Sequence, residues 1–278
     1  MNIFRSTAGE QLVRQRYEQE LASWPVPHER RTVSTREGDT FVLVCGPRDA
    51  PPVVLLHGSG GTATSWLHRI GPWAQRFRLY AVDLIGEPGL SAPSRPPLDT
   101  EAHTLWLDDV FAALSLEKAS LVGESLGGRV ALDHAIRRPG RVNRLVLLNP
   151  TGIGRQKFGL ILKFLLRKVF GSGAAREQMS AAIGFEVPPD AFPLLVFQHF
   201  RPRLGKIPVF SDEQLRGLGT PPLVLLGEQD EMLDAPQTAR RLATTQPGAE
   251  VRLLPGDGHL LLGHSETVRD FLQEVNHV

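Results

Sequence analysis

Apolar residues along this chain fall into short continuous runs, separated by stretches in which they recur at helical spacing. Residues 52–57, 77–83, 119–124 and 143–149 are such runs, and Pro222-Leu-Val-Leu-Leu and Val251-Arg-Leu-Leu repeat the pattern later. Continuous apolarity marks strands buried on both faces, as in a parallel sheet. Between them, residues 63–76, 100–115 and 126–138 carry helical periodicity. Ahead of these, residues 8–22 predict a charged amphipathic helix with Leu12, Tyr17 and Leu21 on its apolar side, ended before Pro25. Two strands near 30–35 and 39–45 straddle the polar turn that starts at Arg36, a hairpin signal. The alternation predicts an α/β protein: a mostly parallel, doubly wound sheet with helices on both faces.

Residues 151–220 break this rhythm, being too long for an ordinary connection between strands. They predict an inserted helical element, so that residues 1–150 and 221–278 form one core and 151–220 an insertion. The insertion holds 10 lysines and arginines against 5 acidic residues, in a chain whose formal net charge is only +1. Three readings of that excess stay open: a solvated basic face, contact with a lipid surface, and attraction of an anionic substrate. The near-neutral whole gives no field favouring nucleic acid. A chain of 278 residues suits one α/β domain with an insertion.

Cys45 is the single cysteine, so no internal disulfide can form. Charged residues Arg5, Glu10, Arg14 and Arg16 interrupt the first segment, and no run approaches the roughly 20 apolar residues of a membrane span. The expectation is a cytoplasmic protein without stable membrane insertion, with a homodimer left open.

Candidate chemistry concentrates where the predicted strands end. Gly123-Glu-Ser-Leu-Gly127 follows an apolar strand run and opens a helical one. A serine on such a strand-to-helix turn, with glycine two places to either side, is a nucleophile elbow. A Cβ at either glycine would crowd the neighbouring strand and helix, and the turn strains Ser125 so that its hydroxyl stands clear. Three further loops lie at strand ends: His57-Gly-Ser-Gly-Gly61, Gly227-Glu-Gln-Asp230, and the glycine-rich approach to His259. Ligands of open α/β sheets bind beyond the carboxyl ends of the strands, which places these loops at one edge. No phosphate-binding loop or dinucleotide fingerprint occurs, and His103, His134, His199 and His264 match no metal-ligand spacing. No metal and no organic cofactor is expected.

On these motifs the chain resembles the α/β-hydrolase family from about Val33 to about Val275. The segments Ser23-Trp-Pro-Val26, GPRDAPPVVLLHG over 46–58, YAVDLIG over 80–86 and Leu226-Gly-Glu228 are similar to bacterial carboxylesterases of the naproxen-esterase type. The resemblance implies a triad of Ser125 as nucleophile, Asp230 as acid and His259 as base, with Glu228, Glu231, Asp234 and Asp257 as competing carboxylates. It implies an oxyanion hole from the backbone of Leu126 and Ser59, with Gly60 as the alternative to Ser59. It also implies that the insertion is a cap over the site. Trp66, Phe158 and Leu162 are then candidates for the substrate pocket, although the default role of Trp66 is core packing. His57 is expected to be a structural hydrogen-bonder.

The expected activity is that of a serine hydrolase, a carboxylesterase cleaving small to medium apolar esters through an acyl-enzyme. A carbon–carbon bond hydrolase of the meta-cleavage-product type would use the same triad order. A non-catalytic binding protein could keep the fold, since fold and function are separable.

Overall fold

The computed structural model describes residues 2–157, 180, 188, 190–203 and 206–274. Among them, eight strands form one sheet in the order β1-β2-β4-β3-β5-β6-β7-β8. The hairpin strands β1 (His28–Thr35) and β2 (Gly38–Cys45) are antiparallel, and β2 joins β4 (Arg78–Val82) antiparallel as well. From β4 onward every pairing is parallel, through β3 (Pro52–Leu56), β5 (Ala119–Glu124), β6 (Val142–Leu148), β7 (Leu223–Gly227) and β8 (Glu250–Leu254). This is the doubly wound sheet that the apolar runs predict.

Alternation within each strand divides the core in two. Val54 and Leu56 of β3 face one side, where α3 (Ala102–Ala113), α4 (Leu126–Arg137) and, later in the chain, Ala235–Thr245 pack through Trp106, Val130 and Leu242. Val53 and Leu55 face the other, against α1 (Thr7–Ala22), α2 (Leu67–Trp73) and the terminal helix Ser265–Gln273. Side chains two apart on a strand share a face, so a continuous apolar run serves both layers.

Two local expectations are corrected. On α1 the buried stripe is Gly9, Val13, Tyr17 and Leu21, while Leu12 is 49% exposed. The stripe follows strict i, i+4 spacing, which turns Leu12 outward. The single helix expected over 63–76 is instead a 3₁₀ turn, Ala63–Trp66, leading into α2. Pro72 lies inside that short helix, where it cannot donate to the ladder.

Among the described residues, two further helices lie between β6 and β7, α5 (Phe192–His199) and α6 (Asp212–Arg216). The first is clasped by the start of the chain: Phe192 stacks on Tyr17 with ring centroids 5.9 Å apart, and Phe200 meets Phe4 edge-on at 6.1 Å. Backbone bonds from Arg5 N–H to the His199 carbonyl and from Arg201 N–H to the Ile3 carbonyl complete the clasp. Phe158 and Leu162 lie outside the described residues. The last two helices are α7 (Ala235–Thr245) and α8 (Ser265–Gln273). No helix among the described residues is long and apolar enough to cross a membrane.

Candidate active site

Ser125 caps α4 with φ 51° and ψ −109°, a left-handed backbone that a side chain rarely adopts. The flanking glycines make this possible. A Cβ on Gly127 would lie 2.0 Å from the Leu56 carbonyl oxygen, and one on Gly123 would lie 2.5 Å from the Gly127 carbonyl oxygen. Both approaches are far inside van der Waals contact, so the elbow closes only with glycine at these places. The Ser125 carbonyl is held by three donors: the Arg129 amide, the Thr151 amide and the Thr151 hydroxyl.

The structure brings Ser125, His259 and Asp230 together from the ends of β5, β8 and β7. His259 Nε2 lies 3.0 Å from Ser125 Oγ, and His259 Nδ1 lies 2.7 Å from Asp230 Oδ2. A carboxylate oxygen can only accept, so Nδ1 carries the proton and Nε2 is left to accept from the serine hydroxyl. The other Asp230 oxygen accepts from the Met232 and Leu233 amides at 2.6 and 3.0 Å. All three side chains are buried. Burial disfavours the charged imidazolium of His259, but the hydrogen bond and charge of Asp230, with the nearby charge of Glu124, outweigh it and hold its pKa above the ordinary value. The competing carboxylates are elsewhere: Asp257 pairs with His264 at 3.0 Å, Asp234 caps α7 through the Gln237 amide, and Glu228 is exposed.

Asn149, at the end of β6, ties the loops to one another. Its Nδ2 donates to the Gly258 and His259 carbonyls at 3.0 and 2.8 Å, and its Oδ1 accepts from the Gly227 amide at 2.9 Å. It sits at φ 41°, where asparagine is better tolerated than most residues, and that is the one local signal it carries. Arg69 adds a second brace, its guanidinium donating to the Leu261 carbonyl two residues beyond His259.

The loop after β3 passes directly beside the elbow: a Cβ on Gly58 would lie 3.3 Å from the Ser125 Cβ. His57 shapes it. Its Nε2 accepts from the Leu84 amide at 3.0 Å, so its Nδ1–H donates to the Gly58 carbonyl at 2.7 Å. Burial pushes its pKa down to about 4, which keeps it neutral. The Gly60 amide is engaged, donating to the buried Glu87 carboxylate at 2.7 Å. That removes Gly60 as an oxyanion donor. Among the described residues nothing accepts from the Ser59 or Leu126 amides, and Leu126 opens α4, where the helix dipole favours negative charge. Trp66 is wholly buried, tilted against Trp73 at 6.3 Å beneath the Arg69 guanidinium, and belongs to the core. A cleft of about 380 Å³ opens behind the Gly60–Thr62 loop among Arg16, Glu20 and Phe192, without any of the three converging residues. Among the described residues, no group of three or more His, Cys, Asp or Glu side chains could hold a metal ion.

A nucleophile elbow and a Ser–His–Asp relay at the carboxyl edge of a doubly wound sheet define a class, and comparison with known proteins agrees. The chain belongs to the alpha/beta hydrolase family, whose model matches residues 53–271. Within it, the chain is similar to the carboxylesterase YbfK of Bacillus subtilis, at 32% identity over 89% of this chain and 87% of the relative. The crystal structure of that carboxylesterase superposes with a TM-score of 0.82, at 30% identity, covering 95% of this chain and 96% of the other. Naproxen esterase from Bacillus subtilis superposes with a TM-score of 0.81 at 31% identity, over 92% of this chain and 94% of its own.

Proposed function

We propose that this protein is a carboxylesterase working through an acyl-enzyme, with Ser125 as nucleophile, His259 as base and Asp230 as its orienting acid. The observation that carries the reading is the unbroken relay from Asp230 Oδ2 through His259 to Ser125 Oγ, at 2.7 and 3.0 Å. Whole-chain similarity to carboxylesterases supports the ester as the bond attacked.

Ser125 Oγ attacks the ester carbonyl while His259 Nε2 takes its proton. Charge developing on the carbonyl oxygen is met by the amides of Ser59 and Leu126, preorganised donors worth about 3 kcal/mol each. The imidazolium, steadied by Asp230, then gives its proton to the departing alkoxide, leaving an acyl group on Ser125. Water attacks that acyl group with His259 again as base; the carboxylic acid leaves and Ser125 recovers its proton. Residues 151–220 act as the cap in this reading, and the lone buried thiol of Cys45 fits a reducing cytoplasm.

The test is hydrolysis of nitrophenyl esters of graded acyl length by the wild type and by Ser125→Ala, with a dienone carbon–carbon substrate alongside. The expected loss in kcat is about a million-fold, and the best acyl length sizes the pocket. Turnover of the dienone alone would move the protein to the carbon–carbon hydrolases. No Ser125-dependent turnover of either would leave a binding protein on a hydrolase fold.

A further inference from the structure

A second buried cluster lies one side chain away from the oxyanion loop. Glu87, wholly buried, holds that loop by accepting from the Gly60 amide at 2.7 Å and the Ser59 hydroxyl at 3.2 Å through Oε2. Its other oxygen, Oε1, has no hydrogen-bond partner and stands 3.9 Å from Arg203 Nε. Arg203 arrives from the insertion; its Nη1 donates to the Pro96 carbonyl at 3.1 Å, while among the described residues Nε and Nη2 have no acceptor. Arg129 stands one helical turn after Ser125, its guanidinium 4.4 Å over the Phe210 ring. Its Nη2 reaches the Leu98 carbonyl, but Nη1 is buried without a partner. Both arginines thus bond carbonyls of one short segment, Pro96 and Leu98, and His103, on the α3 helix that follows it, buries an unpartnered Nδ1. The fields of both guanidinium groups reach it: burial first, then Arg203 and Arg129, push its pKa down to about 3.

Burying charged donors without partners is costly. Arginine does not shed its proton in proteins, so a buried guanidinium cannot escape its desolvation by neutralising. The carboxylates within reach do not balance the charge. Asp133 is already engaged by Arg137 and Thr104, and Asp99 is exposed. Arg95, the third arginine, donates its Nε to the Gly86 carbonyl and its Nη2 to the Arg201 carbonyl. The unpartnered atoms therefore come from three separate elements; Glu87 sets its charge beside Arg203, while the acids near Arg129 are Asp133 and Asp99. A planar fork of N–H groups suits a carboxylate.

We propose that Arg129, Arg203 and His103 form a seat for a carboxylate carried by the substrate, so that the preferred ester bears a negative charge remote from the bond it loses. Glu87 links this seat to the loop that presents Ser59, which makes the seat a neighbour of the reacting centre. The proposal rests on the esterase reading and specifies its substrate class.

The test is a matched pair, nitrophenyl hydrogen glutarate and its neutral methyl ester, read as the ratio of their kcat/KM values. The wild type is expected to favour the anionic ester, and Arg203→Gln to lower the ratio by about tenfold, the usual scale for losing a charge-assisted hydrogen bond. Arg129→Gln, on a different element, is expected to lower it in the same sense, which keeps the test open should one variant fold poorly. A ratio that does not move in either folded variant overturns the seat. If the wild type hydrolyses neither ester, the esterase reading fails. The seat is then tested alone, by calorimetric titration of Ser125→Ala with glutarate and with inorganic phosphate. Glutarate heat that disappears on adding Arg203→Gln supports it, whereas no heat, or binding of phosphate only, overturns it.

Discussion

Two buried polar clusters adjoin Ser125, and they differ in closure. In the network of Ser125, His259, Asp230 and Asn149, every buried polar side-chain atom has a partner within the chain. In the cluster of Glu87, His103, Arg129 and Arg203, five such atoms have none. The contrast separates two tasks. Chemistry requires groups fixed before the substrate arrives, so its network is complete in the free protein. Recognition leaves donors open until a ligand fills them, at a standing cost in stability that the ligand offsets.

The comparison can be broken at its closed end first. Asp230→Asn is expected to lower kcat by about 10⁴-fold, the scale seen when an orienting carboxylate becomes an amide and the imidazole takes the wrong tautomer. The charged-to-neutral ester ratio should stay where it was, because the acid has no part in the arginine cluster. A change in that ratio would mean that the two clusters are one. Asn149→Ala is the next largest. It strips the Gly227 amide and the Gly258 and His259 carbonyls of their partner, and a denaturant titration should register a loss of about 2 kcal/mol, with kcat reduced by roughly tenfold while KM is little changed. Unchanged stability would show that the three loops are held without it.

The smallest effect concerns pH. In the proposed mechanism His259 must be neutral to act as the base, so kcat/KM should rise with pH through its pKa, which the Asp230 and Glu124 charges hold above the ordinary 6.5 in spite of burial. Glu124→Gln removes one of those charges and is expected to move the acid limb of the profile to lower pH. An unmoved limb would mean that Glu124 does not bear charge at the working pH; burial raises its pKa, against the lowering influence of Arg69 and His259.

What was legible in the sequence follows the same division. The elbow, the strands and the loops that carry Asp230 and His259 are local patterns, each written in a few adjacent residues, and the sheet order brings them to one edge. Asn149 was not legible, because its three bonds reach residues 78 to 110 positions away. Glu87 was hidden in a proline-rich loop, and Arg129 looked like one more residue of a helix. Their partners come from the oxyanion loop, the insertion and α3, and no spacing along the chain announces such a meeting. The basic excess of the insertion was visible as composition; that Arg203 turns inward toward Glu87 is a fact of packing alone. For Trp66 the default reading, core packing, is the one the fold follows, and its nearness in sequence to the loop after β3 does not bring it out of the core.

The clasp between the first residues and the insertion has a bearing on how this protein can be retuned. Ile3 accepts the Arg201 amide, Phe4 braces Phe200, and two residues beyond Arg201 lies Arg203. The beginning of the chain therefore acts as a hinge pin for the segment that delivers a recognition residue. On the proposed seat, variation at Ile3 or Phe4 is expected to change the charged-to-neutral ester ratio while leaving the relay untouched. Selectivity would then have a remote adjustment, set in side chains that no ligand meets.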